Sequence, residues 1–147
     1  MPAGITNTGI DDERGDGIVS VSRTTLGDTL RSVVYFTPAA FDILYVRQDL
    51  DESTEAARPT KEQLVEFERL GFAERPVRTA ISTSEPVAGI GSYEFTVRFH
   101  EDGFVCRVIE GNAGVVLTTD AMDVDAFEDV VTAIRRLLSG TATSPSA

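Results

Sequence analysis

Residues 93–119 read YEFTVRFHEDGFVCRVIEGNAGVVLTT and set the architecture of the chain. The first half of this segment alternates large apolar side chains with polar or charged ones, a period of two that is typical of a β-strand with one buried face. Asp102-Gly103 is a favoured two-residue hairpin turn, and residues 111–114 supply a second turn. The segment therefore predicts an antiparallel meander of three strands.

The turn at Asp102-Gly103 also predicts a register for the meander. It places Phe99 opposite Cys106 and Val97 opposite Val108, so these apolar side chains share one face of the sheet. The expected core face consists of Phe95, Val97, Phe99, Cys106, Val108 and, from the third strand, Leu117. The single cysteine is thus expected to be a buried thiol.

The sequence before the meander predicts two helices and a hairpin. A short helix is expected from Thr24 or Thr25 through about residue 31, followed by strands at 32–37 and 41–48. A second helix is expected at 61–70, where Thr60 and Gln63 form a capping box and Gly71 ends the helix. Residues 72–91 read as irregular, with a possible edge strand at 77–82.

The last helix has the strongest helical pattern in the chain. Asp120 or Asp123 is expected to cap it, and Gly140 follows it. One face carries the apolar residues Phe127, Val130, Val131, Ile134, Leu137 and Leu138.

The second strand, 41–48, has apolar side chains on both faces around Asp42. This pattern fits a central strand covered by helices on both sides, and it also fits an outer face that is buried in a dimer. The sequence leaves both alternatives open.

These elements predict an α+β fold with a five-stranded antiparallel sheet and helices packed on its faces. The order α-β-β-α-β-β-β-α over roughly residues 24–139 resembles the roadblock and longin-like scaffold. That resemblance implies a domain that pairs as a dimer and scaffolds small GTPases or other signalling proteins. We expect a single domain at 21–140, between a flexible N-terminal segment at 1–20 and a flexible tail at 141–147.

Composition indicates the environment of the protein. Lys61 is the only lysine among 13 basic residues, against 24 carboxylates and a formal net charge of -11. Concentrated salt screens the repulsion between the carboxylates. Lysine has a long apolar stem, so a scarcity of lysine keeps the exposed apolar area low. We therefore interpret the chain as a cytosolic protein of a halophilic microbe. The alternative is an ordinary acidic mesophilic protein. The segments DILYVRQD (42–49) and FTVRFHED (95–102) also resemble those of short, acidic, uncharacterised haloarchaeal proteins.

The same composition argues against several kinds of partner. Binding to a nucleic-acid backbone requires clustered basic residues, which this chain lacks. Its apolar stretches are short and interrupted, so we expect no membrane span, and the acidic N-terminal residues do not resemble a signal peptide. With one cysteine and one histidine, a disulfide is excluded and a zinc site is not expected.

Arg98, Arg107 and His100 are the candidate contact residues. The predicted register places Arg98 directly opposite Arg107, where like charges repel and require an acidic partner. That partner is either a carboxylate of the fold, from Glu94 or from the helix at 61–70, or an external anion or acidic peptide with His100 at the rim of its site.

No residue pattern indicates catalysis, a cofactor or a metal. His100 precedes a surface hairpin, and no serine elbow accompanies it. The pair Gly89 and Gly91 lacks the rest of a phosphate-binding loop. The acidic group near the last helix has no calcium-loop spacing and is expected to cap and hydrate the helix; it comprises Asp120, Asp123, Asp125, Glu128 and Asp129.

The sequence therefore favours a small adaptor module that binds another protein or a second copy of the same chain and carries no catalytic activity. The alternative is a sensor that binds a small anion between the sheet and a mobile 72–91 segment.

The halophile interpretation predicts a salt-dependent fold. Lowering KCl to roughly 0.1 M weakens screening of the carboxylates, so helical and sheet structure should be lost. Circular dichroism during dialysis measures this loss. Full structure at the lowest salt would instead support the mesophilic alternative.

Overall fold

The structure is a computed structural model, and it describes residues 6–74, 77 and 93–140. It contains five strands that form one antiparallel sheet in the order β2-β1-β5-β4-β3. The elements, in chain order, are α1 (Asp12–Leu26), a 3-10 turn (Gly27–Thr29), β1 (Leu30–Phe36), β2 (Phe41–Val46), α2 (Thr54–Glu68), β3 (Thr96–His100), β4 (Gly103–Glu110), β5 (Ala113–Thr119) and α3 (Val124–Ser139). The predicted fold class is confirmed.

The helices cover both faces of the sheet. On one face, α1 and α3 pack over a core that includes Val33, Cys106 and Leu117. On the other face, Val65 of α2 packs in a second core with Phe36 and other side chains of β1, β2, β4 and β5. Both layers exclude water from the central strands, which is the arrangement expected of a layered domain.

The first helix is longer than predicted and begins much earlier. Asp11 caps it by accepting a hydrogen bond from the Arg14 backbone N–H at 2.7 Å, and Ile18 is fully buried. The prediction of a flexible segment at 1–20 is therefore wrong from Asp12 onward, and the predicted helix at 24–31 is wrong because β1 starts at Leu30.

Glycine within the first helix is the reason that the sequence did not predict this helix. Gly17 lies where a Cβ atom would be 3.4 Å from a methyl group of Leu137, so a small residue here lets α1 approach α3 closely. Glycine in a helix interior lowers helix propensity, and the close packing of the two helices compensates for this cost.

The second helix also begins before its predicted start. Ser53, not Thr60, is the N-cap, and its hydroxyl accepts from the Ala56 backbone N–H at 3.1 Å. Pro59 lies inside the helix. Because Ala57 is fully buried against the fold, tertiary packing holds the first turns in place in spite of the proline. The chain turns at Arg69 and is helical again at 70–74, so the predicted stop at Gly71 is wrong.

The last helix agrees with its prediction. Asp123, one of the two expected caps, accepts from the Ala126 backbone N–H at 3.1 Å, and Gly140 ends the helix with a left-handed φ of 82°. The predicted apolar face is buried or partly buried against the sheet.

The meander is confirmed, but its first turn is displaced by one residue. The turn consists of Glu101 and Asp102, and Gly103 pairs with His100 inside the ladder. A Cβ atom at Gly103 would lie 2.6 Å from the Thr119 carbonyl oxygen, so this glycine serves the close approach of β4 to β5 instead of the turn.

The displaced turn shifts each pairing partner by two residues and leaves the faces unchanged. Val97 lies opposite Cys106, and Arg98 lies opposite Val105, so the predicted pairing of Arg98 with Arg107 is wrong. The core positions of Cys106, Val108 and Leu117 are confirmed, and Phe95 and Val97 pack against this core. Phe99 is 71% exposed, which corrects its predicted burial.

Among the described residues the second strand lies at one edge of the sheet, so the interpretation of a central strand at 41–48 is wrong. The Asp42 carboxylate accepts hydrogen bonds from Asn7 and Thr8, which tie residues 7–8 to this strand. Of the predicted strand at 77–82, only Val77 is described, and it is helical. The rest of that strand, and the tail at 141–147, lie outside the described residues.

The packing of α1 predicts that Ile18→Ala destabilises the fold. Ile18 is completely buried, so truncation leaves a cavity and should lower the free energy of unfolding by about 2–5 kcal/mol. Urea unfolding at constant high KCl measures the change. Val124→Ala is the control, because Val124 is 55% exposed and should change stability by less than about 0.5 kcal/mol. Equal effects of the two variants would contradict the core role of α1.

Candidate functional site

A buried ionic cluster joins α2 to the meander. Glu68, the last residue of α2, is fully buried. Its carboxylate accepts a hydrogen bond from Arg98 Nε at 2.8 Å and another from Arg107 Nη1 at 3.2 Å. Arg98 and Arg107 are diagonal neighbours on one face of the sheet, so a single carboxylate can lie between them.

Arg107 is the more deeply buried of the two arginines of this cluster, with 1% exposure. Its Nη2 donates to Glu74 at 3.0 Å and to the Thr96 hydroxyl at 3.1 Å. Burial alone would lower the pKa of Arg107. Hydrogen bonds from its side chain to Tyr93 and Glu74, together with the negative charge of Glu68, outweigh burial and raise the pKa of Arg107. The guanidinium is therefore permanently charged and neutralised within the fold.

Gly71 makes room for this guanidinium. A Cβ atom at Gly71 would lie 2.7 Å from Arg107 Cζ and 2.4 Å from a methyl group of Ile109. Any side chain here would displace Arg107 or the core beside it.

The structure thus brings Arg98 and Arg107 together around a carboxylate of the second helix, which is one of the two partners that the sequence left open. Glu94, the other internal carboxylate considered, instead contributes its backbone carbonyl to Arg135. Arg98 remains 29% exposed, and its guanidinium lies 4.7 Å from the centre of the Phe67 ring. A contact of Arg98 with an external partner stays a prediction.

His100 lies apart from the ionic cluster. It is exposed at the end of β3, beside a pocket that Arg31 and Lys61 also line. We name this cavity the end pocket. Sequence reasoning did not identify it, because Arg31, Lys61 and His100 are far apart along the chain. The one available signal was that the only lysine and the only histidine had no assigned partner.

The other candidate residues have structural roles in the described part of the chain. Asp120 accepts hydrogen bonds from Arg47 and Arg31, which lower its pKa. Burial raises the pKa of Cys106 to about 12, so its thiol is protonated near neutral pH. Among the described residues, no group of histidine, cysteine or carboxylate side chains could hold a metal ion. Gly89 and Gly91 lie outside the described residues.

Exposed apolar side chains lie on both faces of the sheet near the ionic cluster. Phe67 and Leu70 are 54% and 47% exposed on the α2 side, and Phe99 is 71% exposed on the opposite face of β3, which it shares with Val97. The outer edge of β3 has no neighbouring strand among the described residues. We call Phe67, Leu70, Phe99 and this strand edge the β3 surface.

Comparison with known proteins places the chain in a family. The profile of the domain of unknown function DUF7522 matches residues 16–139. The chain belongs to this family. No curated protein sequence matches this DUF7522 domain.

Two solved structures resemble the DUF7522 domain in fold. A gliding protein, MglB from Thermus thermophilus, is 13% identical with a TM-score of 0.59, and the match covers 95% of this chain and 98% of that one. MglB of Myxococcus xanthus is 11% identical with a TM-score of 0.50, over 94% and 96% of the two chains. These likenesses confirm the roadblock-like fold and, at such low identity, show the fold alone. In the described part of the chain, every helix is too short or too polar to span a bilayer.

The ionic cluster predicts that Glu68→Gln strongly destabilises the domain. The variant leaves buried Arg107 without its central counter-charge, which should lower the free energy of unfolding by about 3–5 kcal/mol. Glu66→Gln is the matched control in the same helix, because Glu66 is 74% exposed and its pair with Arg69 should contribute less than about 1 kcal/mol. Urea unfolding at constant KCl compares the two. Unchanged stability in Glu68→Gln would mean that the cluster is dispensable for folding.

Proposed function

We propose that this DUF7522 protein is a small cytosolic interaction module of a halophilic archaeon that binds another protein and has no catalytic activity. The β3 surface is the observation that carries this proposal. It combines exposed aromatic and aliphatic side chains with an open strand edge, and both features are typical of protein-binding surfaces.

The first partner that this surface fits is a second copy of the chain. Two β3 edges can pair antiparallel across a two-fold axis, which would extend the sheet through both subunits. Phe67, Leu70 and Phe99 flank that edge and would lose water on pairing. Dimer formation is also what the roadblock resemblance implies.

The state of the candidate catalytic groups supports a non-catalytic role. His100 is exposed at a strand end, and Cys106 is a buried, protonated thiol. The arginines of the ionic cluster are neutralised by Glu68 and Glu74. Among the described residues, no nucleophile is hydrogen-bonded to a histidine, and the Thr8 hydroxyl that donates to the Asp42 carboxylate belongs to the contact that ties residues 7–8 to β2.

The charge balance supports a salt-rich cytosol. Many of the carboxylates are exposed and solvated, and screening is needed to offset a net charge of -11. Several of the surface basic groups form local pairs, such as Arg47 with Asp49 and Asp120.

Anion sensing by Arg98 and Arg107 is less well supported. Arg107 is inaccessible to a ligand, and both guanidinium groups already contact Glu68. A ligand at this place would have to displace a buried carboxylate.

The proposal predicts a dimer that depends on Phe99. In high KCl, sedimentation should give a dimer for the native chain, and Phe99→Ser should dissociate it, because the variant removes the most exposed aromatic side chain of the β3 surface. Val124→Ser is the matched control: Val124 is 55% exposed at the start of α3, so this variant should remain dimeric. Circular dichroism verifies that both variants are folded.

Two outcomes would contradict this proposal. A dimer that survives Phe99→Ser but dissociates in Val124→Ser would move the interface to α3. A native chain that is monomeric at all concentrations, and that is recovered alone from a high-salt lysate, would overturn the interaction module itself.

A further inference from the structure

The end pocket is a cavity of about 360 Å³ where one end of the sheet meets α2. Its basic groups come from three separate elements: Arg31 from β1, Lys61 from α2 and His100 from β3. Thr118 of β5 lines the wall, and its hydroxyl is 2.5 Å from that of Ser32. The fold therefore brings three basic side chains that are distant in sequence into one concave place on a strongly acidic protein.

Lys61 is the unusual member of this group. Within the described residues it has neither an ion pair nor a hydrogen bond. Burial lowers its pKa, and the nearby charge of Arg31 lowers it further, against a weaker opposing effect of Asp51. Its ammonium group is thus partly desolvated without a compensating partner, which is an unfavourable arrangement in the unliganded protein.

The carboxylates near the pocket do not neutralise Lys61. Asp120 is already shared, because it accepts from Arg31 at 2.8 Å and from Arg47 at 2.6 Å. Glu101 and Asp102 line the rim of the pocket, but they are exposed at the tip of the β3–β4 turn and form no ion pair with Lys61. Asp51 acts on Lys61 only through its charge, so an external anion would supply the direct ion pair that the fold does not provide.

We propose that the end pocket binds a phosphate-type dianion, either free phosphate or the phosphate group of a small metabolite. Lys61 would provide a point charge, Arg31 the guanidinium donors that its pair with Asp120 leaves available, and His100 a ring N–H donor at the rim. The volume exceeds that of a phosphate group, so a short organic substituent can enter as well. This site shares His100 with β3 but lies at the end of that strand, and the proposal of phosphate binding does not depend on the proposed protein partner.

Two unique side chains make the site directly observable by NMR. Lys61 is the only lysine and His100 the only histidine, so lysine and histidine labelling gives one side-chain signal for each. The full chain is titrated with inorganic phosphate at constant ionic strength set by KCl. We expect saturable shifts of both signals with the same dissociation constant, and a rise in the pKa of Lys61, because a bound dianion favours the charged ammonium.

Paired variants separate a specific site from general attraction. Lys61→Gln should weaken phosphate binding at least about tenfold, read on His100, since one charge-assisted hydrogen bond is lost. Arg136→Gln is the control, because it removes the same charge from an exposed position on α3. If Lys61→Gln does not fold, His100→Gln read on the Lys61 signal replaces it, again with weaker binding expected.

Specific results would overturn the proposal. The first is that phosphate causes no saturable shifts of the Lys61 and His100 signals in the native chain. The second is that Arg136→Gln loses as much affinity for phosphate as Lys61→Gln. Glycerol phosphate then distinguishes the two sources of the dianion: tighter binding than inorganic phosphate supports a phosphorylated metabolite, and weaker binding supports free phosphate.

Discussion

The fold depends on the burial of both faces of β1 and β5. These two strands pair in the middle of the sheet, and most of their residues are buried on the α1–α3 side and on the α2 side alike. A strand with two apolar faces cannot tolerate water on either one, so helices must cover both. The positions of α1, α2 and α3 follow from this requirement, and so does the placement of Glu68 above the meander.

Much of the fold was predictable because it is encoded locally. The meander and α3 show their periods in short stretches of sequence, and the cap, apolar face and terminal glycine of α3 all agree. The first helix was not predictable in this way. It packs against α3, where Gly17 lies beside Leu137, a residue 120 positions later, and glycine gives no local sign of helix.

The candidate site was also predictable only where its residues follow a local pattern. Alternation along β3 and β4 correctly places Arg98 and Arg107 on the face away from the α1–α3 core, opposite α2. Their pairing was wrong because a single glycine, Gly103, could serve either the turn or the close approach to Thr119, and only the assembled sheet decides between them. The predicted helix at 61–70 contained Glu68, but the sequence did not distinguish it from Glu62 and Glu66, because only the packing of α2 on the sheet decides which carboxylate is buried.

The edges of the sheet differ, and this difference limits what the chain can assemble into. At β2, residues 7–8 bind Asp42, the side chains of Asn7 and Arg58 hydrogen-bond the Phe41 carbonyl, and the β1–β2 ladder is irregular at Val33 and Val34. Such features hinder the addition of another strand. Among the described residues one edge is obstructed and the other is open, so under the proposed β3 pairing end-to-end growth would stop after a single pairing and open filaments would not form.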